Sequence, residues 1–531
     1  MRASENQAVQ HAPGRPAGLQ KDRRRRPTPD IAYLGPAATA LITSFVAVWN
    51  ISGPSFTRDE GATLLAAHRT FPQLVQMLGR VDVVHGAYYT LIWAVTRLAG
   101  SSEFAVRFPS AVAMAGAAAA VTALGHRLVS VQAGLAAGLV MAVLPSVSWY
   151  AEDARDPALA TGLAALSSYL LVRALQASPT RRRWLVAYGV SLAALGLAGL
   201  FSLLIIPAHA VAVTRRLREH RQPRTPLLAG WLAAVIAAVL ADCPVAVTGY
   251  FQLHQIHWLR RPGLAELLGV ARLVGPLSVA AVLLLCMAGA VAPGALHGAG
   301  RLRRDWPSGL VAVAVPWLVL PPAILLAASL IHPVYTIRYI AFCIPAAALL
   351  AGAALAALGQ VAGLAALVAI AVAGLPAQIA QRAPGGHGFN IRRVEQIVAW
   401  QARPGDAVLN LSTRTRRQAA GEERGFEAAY PHGLADLRDI SQGATPARSG
   451  TLGGTFAPAS VERQRLASVS RLWVVSWRPQ PVQVLRGLGF TRLREWHVSS
   501  IWIRLFIPPR LTGTGERRTG RSACLQVTCL R

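Results

Sequence analysis

Runs of about twenty apolar residues recur from position 33 to 380 of this chain, separated by short polar loops. Each run is long enough to cross a hydrocarbon layer about 30 Å thick as a helix. The pattern predicts spans at about 33–52, 105–125, 130–149, 157–175, 226–248, 271–292, 308–331, 340–357 and 362–380. The apolar stretch 184–214 has arginine clusters at both ends. It reads as two short helices that cross twice and meet near Gly196 and Gly199; one long tilted helix is the alternative and inverts everything downstream. The total is eleven crossings. Residues 61–80 mix Leu64, Leu65, Phe71 and Leu74 with His, Arg and Gln, the pattern of one amphipathic interfacial helix. Residues 86–98 are apolar but too short to span, and read as interfacial or re-entrant.

The pattern changes after position 380. A helix at 394–401, a strand at 407–411, a strand at 472–477, a helix at 482–488 and a strand at 500–506 predict a small α/β domain over 381–508. Residues 412–468 are rich in Gly, Arg and Ser, and weak structure is expected there. Residues 1–32 and 509–531 lack periodicity and read as disordered tails around a transmembrane domain at 33–380. The fold class expected is a polytopic all-α membrane protein with a small C-terminal α/β domain.

Charge fixes the orientation. The net charge is +29, almost all from arginine. Nucleic acid is not the expected partner, because the arginines sit in short loops and tails where the positive-inside bias and anionic lipids account for them. Arg23 to Arg26 place the N-terminus in the cytoplasm, and Arg181 to Arg183 also fall inside. Arg260 and Arg261 are an exception, in an outer loop. On this count Asp59, Glu60 and the stretch from Tyr150 to Arg155 share the outer side, and so does the domain after position 380. The first apolar run has full span length, unlike a cleavable leader. The cysteines are scattered and give no zinc spacing.

Adjacent carboxylates beside a membrane span are costly neighbours for hydrocarbon, and such groups tend to be functional. The plain alternative is a solvated loop charge. Moving a sugar onto a hydroxyl or amine needs a carboxylate to take the acceptor proton, cations to hold the leaving phosphate, and exclusion of water. Asp59 is the candidate base, and Glu60 beside it orients the acceptor or shares a metal ion. Asp153 and Glu152 add carboxylates from a second loop, and Arg155 offers a fork for phosphate. His85 and Asp82 precede the short apolar helix. Tyr335, Arg338 and Tyr339 precede an outer-to-inner span, where Arg338 serves as a phosphate ligand or an interfacial anchor. His254, His257 and Trp258 form a polar loop patch. No Gly-rich nucleotide loop is present, so a lipid-linked donor is favoured over a nucleotide sugar. A transporter or flippase is the rival class; it predicts mid-span charges and inverted repeats, and only Asp242 comes near that.

Four stretches resemble the GT-C class of polytopic glycosyltransferases, in the branch of bacterial protein O-mannosyltransferases and lipid A aminoarabinose transferases. Thr57-Arg58-Asp59-Glu60 resembles the acidic motif of the family's first outer loop. His85-Gly86-Ala87-Tyr88-Tyr89-Thr90-Leu91, with the segment from Ser102 to Ser110, is similar to "HPPLYYLL … SEFALRLPS". The segment from Trp149 to Arg155 resembles "WYSQEAR", and Arg338-Tyr339 resembles an "RY" element. The resemblance covers about residues 30–380. It implies a polyprenyl-phosphate-linked sugar donor, a hexose such as mannose, and an acceptor that is a cell-envelope glycan, lipid or protein. It also implies transfer on the outer side with inversion. It places the catalytic acid at Asp59 with Glu60 alongside, the second-loop carboxylate at Asp153 and its arginine at Arg155, with Arg107 structural. Some members use a divalent cation, a requirement this sequence leaves open. Three departures stand out: His85-Gly86-Ala87 replaces "HPP", Asp156 displaces the proline after Arg155, and Leu197 to Phe201 lack a polar "THY"-like element. A scaffold that keeps the fold without activity is the further alternative.

Overall fold

The structure is a computed structural model that describes residues 29–177, 180–219, 224–256, 259–263, 266, 269–291, 308–410, 424–476 and 483–509. Of the tails expected at 1–32 and 509–531, residues 1–28 and 510–531 lie outside the described residues, as do His257 and Trp258; residues 29–32 instead belong to the first helix.

Helices occupy all eleven expected span positions. They are α1 (Pro29–Val48), α5 (Glu103–Leu128), α6 (Val131–Val143) with α7 (Pro145–Ala151), α8 (Asp156–Gln176), α9 (Arg181–Ala198), α10 (Ile205–Glu219) and α11 (Arg224–Phe251). After these come α12 (Leu277–Val291), α13 (Ser308–Ser329), α14 (Ile344–Ala357) and α15 (Gln360–Gln381). Among the described residues, seven helices are long and apolar enough to cross a membrane, or eight if α6 and α7 form one span bent by 61°. Pro145 opens α7 at that bend, where its missing N–H removes a helix bond. The stretch 184–214 is broken, as the two-helix reading expects. α9 stops at Gly199, whose backbone is extended, and a 3-10 turn (Leu200–Leu204) leads into α10.

Between α1 and α5 lie three shorter helices, α2 (Arg58–Ala67), α3 (Phe71–Leu78) and α4 (Gly86–Ala99). The single interfacial helix expected at 61–80 is therefore two. Thr70 caps α3 in a box with Gln73, and Pro72 sits in its first turn, so the chain restarts there. α2 begins at a capping box between Thr57 and Glu60. α4 coincides with the short apolar helix expected at 86–98. Small residues let the spans approach closely: a Cβ on Gly125 would lie 2.5 Å from the Gly134 Cα.

The C-terminal region holds a five-stranded sheet in the order β2-β1-β3-β5-β4, parallel on the β2-β1-β3 side and antiparallel from β3 to β4. Its strands are β1 (Ala407–Asn410), β2 (Arg438–Asp439), β3 (Leu472–Ser476), β4 (Thr491–Val498) and β5 (Ile501–Ile507). α16 (Ile391–Gln401) buries Ile391, Val394 and Val398 with Trp473 and Ile503 against one face. Two expectations are corrected here. Residues 424–468 are structured, with a helix at 424–429, β2, and α17 (Ala459–Ala467). β4 was missed because it is an exposed edge strand, Thr-Arg-Leu-Arg-Glu-Trp-His-Val, with little apolar alternation.

This region packs on α2, which carries Asp59, and on the segment before it. A Cβ on Gly61 would lie 2.6 Å from the Gly425 carbonyl oxygen, so only glycine permits that approach. The Tyr430 hydroxyl accepts from the Phe56 N–H at 2.9 Å and donates to Glu103 Oε1 at 2.7 Å. Arg392 joins the same Glu103 oxygen at 2.6 Å.

Candidate active site

The two neighbours Asp59 and Glu60 face opposite surroundings, because successive residues of a helix lie about 100° apart. Glu60 is wholly buried and saturated. Arg107 donates from Nε to Oε1 at 2.7 Å and from Nη2 to Oε2 at 2.8 Å. The Thr57 N–H reaches Oε2 at 2.8 Å and the Ala154 N–H reaches Oε1 at 3.0 Å. Burial alone would raise its carboxyl, but Arg107 and these bonds hold it below its ordinary range. Arg107 spends its remaining donors on the carbonyls of Ile51, Pro54 and Ser55. The pair ties the first loop, α5 and the second loop together.

Asp59 is about a third exposed, and its Oδ2 meets Arg338 Nη1 at 2.5 Å. Arg58 Nε lies 3.9 Å from Oδ1. Burial works against ionisation, yet Arg155, Arg338 and Arg58 together hold the carboxyl well below the usual range. Arg155, from the second loop, donates from Nη1 to the Tyr89 hydroxyl at 3.1 Å, and its Nη2 lies 3.3 Å from His85 Nε2. His85 Nδ1 lies 2.9 Å from Asp156 Oδ1 at the start of α8. Tyr89 donates onward to Asp82 Oδ2 at 3.1 Å. Asp153 has a buried Oδ1 without a hydrogen-bond partner among the described residues. Its burial, then the Glu60 and Asp59 charges, push its carboxyl well above the ordinary range. Two neighbouring carboxyls thus differ in proton affinity, the arrangement acid–base chemistry uses.

His85, Asp156, Arg338 and Tyr339 open onto a cavity of about 280 Å³. Phe201 and Tyr250, with small residues of α8 and α11, form its apolar walls. The structure thus brings Asp59, His85, Asp153, Arg155, Arg338 and Tyr339 into one neighbourhood. Glu152 is placed elsewhere, which corrects its expected role at the cavity. It is wholly buried, pairs with Arg382 Nη2 at 2.8 Å and lies 3.6 Å from His387 Nε2. His387 stacks flat on Trp149 with centroids 4.1 Å apart. Arg382 also donates to the Val46 and Trp49 carbonyls, each at 2.7 Å, so Glu152 anchors the second loop to the ends of α1 and α15. Among the described residues no three His, Cys, Asp or Glu side chains converge to hold a metal ion.

Sequence reasoning passed over Tyr89, Asp156 and Tyr430. Asp156 carried a usable signal, since Asp-Pro after an extended arginine marks a helix start beside Arg155. Tyr430 carried none, because its role depends on a segment far along the chain.

A family profile described as dolichyl-phosphate-mannose-protein mannosyltransferase matches residues 86–241. No curated protein sequence matches the chain. The crystal structure of ArnT from Cupriavidus metallidurans in the apo state is similar at TM-score 0.57 and 14% identity, covering 88% of this chain and 97% of that one. The same protein bound to undecaprenyl phosphate is similar at TM-score 0.55 and 16% identity, with the same coverage of 88% and 97%. The archaeal oligosaccharyltransferase AglB from Archaeoglobus fulgidus is also similar, at TM-score 0.48 and 11% identity over 84% of this chain and 69% of that one. The chain therefore carries the fold seen in ArnT, and its residues 86–241 match the dolichyl-phosphate-mannose-protein mannosyltransferase profile.

Proposed function

We propose that this protein transfers a sugar, a hexose such as mannose, from a polyprenyl-phosphate donor to a hydroxyl or amine of a cell-envelope glycan, lipid or protein. The observation that carries the reading is the convergence of Asp59, His85, Arg155 and Arg338 from four separate segments, with His85 and Arg338 lining an apolar cavity and Asp59 and Arg155 in contact with them. The undecaprenyl phosphate bound to the fold-mate ArnT supports a lipid-linked donor. The reaction is placed on the outer side, within a transmembrane domain at 33–380, beside an outer domain at 381–508.

Arg338 and Arg155 are the donor-phosphate ligands, and His85 is held toward the same phosphate by Asp156. A phosphate that draws Arg338 away from Asp59 frees that carboxylate to accept a proton. Asp59 then takes the acceptor proton as the acceptor heteroatom bonds the anomeric carbon. The bond from that carbon to the phosphate oxygen breaks, and polyprenyl phosphate leaves. Asp153 stays protonated nearby and donates a hydrogen bond to the sugar. Glu60 is a positioning residue here, since its oxygens are fully engaged. Tyr339 lines the wall against the lipid.

The test is an in-membrane assay with radiolabelled polyprenyl-phosphate-mannose and cell-envelope acceptors, comparing wild type with Asp59→Asn. A general base contributes about 10²–10⁴-fold, so a loss of that size in a folded variant is expected. Equal product from both proteins removes Asp59 from the mechanism. No product from either refutes this donor and promotes the flippase or inactive-scaffold reading.

A further inference from the structure

A second lipid-facing feature lies at the other end of α9 from the candidate site. The site touches the C-terminal end of that helix at Gly199, and the groove begins at Arg181. It is an apolar groove of about 800 Å³ between α9 and α11. Gly189, Ala193, Gly230 and Ala237 form part of its lining, with Arg181 and Arg182 at the mouth. Gly189 and Gly230 let the two helices meet closely, a Cβ on Gly230 lying 2.8 Å from Leu185 Cδ1, so the groove runs along their seam.

The groove has the length of one leaflet. From Arg181 to Ala193 the helix rises about 18 Å at 1.5 Å per residue. Half of a hydrocarbon core is about 15 Å. Beyond the inner end, Asp242 packs against Gly196 and is 1% exposed, so the two helices are closed there. Trp184, one turn into α9, lies under the Arg173 guanidinium at 4.0 Å, an aromatic at the depth where interfacial belts occur.

The charge at the mouth selects the headgroup. Arg182 is exposed, and among the described residues Arg181 donates to the Ala177 carbonyl at 3.1 Å. Among the described residues no carboxylate pairs with either. Two guanidiniums at the headgroup level above an apolar trough fit a phosphate above an acyl chain.

We propose that this groove binds one anionic glycerophospholipid in the leaflet opposite the candidate site, with its phosphate on Arg181 and Arg182 and one acyl chain between α9 and α11. The site is independent of the transfer reaction.

The experiment is native mass spectrometry of the delipidated full-length protein titrated with phosphatidylglycerol, phosphatidylcholine or polyprenyl phosphate. The proteins are wild type, Arg181→Gln/Arg182→Gln, and Ala237→Phe, which fills the groove from an exposed position. Size exclusion and thermal unfolding confirm that each is folded. The first adduct is expected to favour phosphatidylglycerol over phosphatidylcholine by about thirtyfold, the joint effect of two interfacial arginines. The double variant loses the preference, and Ala237→Phe loses the adduct. Equal binding of the two phospholipids, or a preference that survives both variants, overturns the proposal. Polyprenyl phosphate outcompeting phosphatidylglycerol through the same arginines replaces the phospholipid as occupant and also overturns it.

Discussion

Glu60→Gln separates two roles that a pair of adjacent carboxylates can play. Glu60 and Arg107 are both fully buried, 0% exposed. Glutamine keeps the shape, but it removes the charge and one of the two acceptors that Arg107 engages at 2.7 and 2.8 Å. The three carbonyls of Ile51, Pro54 and Ser55 still bind the guanidinium without neutralising it. Removing one partner of a buried pair costs about 3–5 kcal/mol, because the other charge is left uncompensated. Asp59→Asn is different. Its pair with Arg338 is about a third exposed, so solvent screens it, and its loss costs at most about 1 kcal/mol. Thermal unfolding in detergent should therefore show Glu60→Gln strongly destabilised and Asp59→Asn close to wild type. In the cycle with Arg107→Met, the double variant should be less destabilised than the sum of the singles, with a coupling of about 3 kcal/mol. A Glu60→Gln protein that unfolds like wild type yet fails to transfer sugar would refute the assignment and make Glu60 a group that touches substrate.

Arg338→Gln removes one of the charges that hold Asp59 below its ordinary range. If activity needs the Asp59 carboxylate, the acid limb of the rate profile moves to higher pH, and an unmoved limb shows that another group sets it. Glu395 is buried in the C-terminal region, where burial pushes its carboxyl up to about 9 from an ordinary 4.5. The folded state then holds a proton that the unfolded state releases, so stability falls as pH rises from 4.5 toward 9. At pH 7 that cost is about 3 kcal/mol. Glu395→Gln keeps the bond from the Leu434 N–H and should flatten the decline of the unfolding temperature over this window. An equally steep decline in the variant counts against the neutral carboxyl.

The sequence alone determined where the long apolar helices lie. Apolar runs of span length and arginine-marked ends are local properties of the chain, and they located a helix at each of eleven positions, seven or eight of them long and apolar enough to cross among the described residues, and the break at Gly199. The acidic pair at Asp59 and Glu60, the second loop and Arg338 were legible for the same reason, as charges beside hydrocarbon. What the sequence could not show was the direction each side chain takes. Glu60 and Asp59 are neighbours, yet one is sealed against Arg107 and the other opens toward Arg338. Glu152 and Asp153 divide likewise, one held by Arg382 and one set near Asp59. β4 and residues 424–468 were also hidden, because an edge strand and a polar segment are stabilised by partners distant in sequence. Tertiary packing decided these points, since burial and pairing belong to the assembled helices and not to any one stretch of chain.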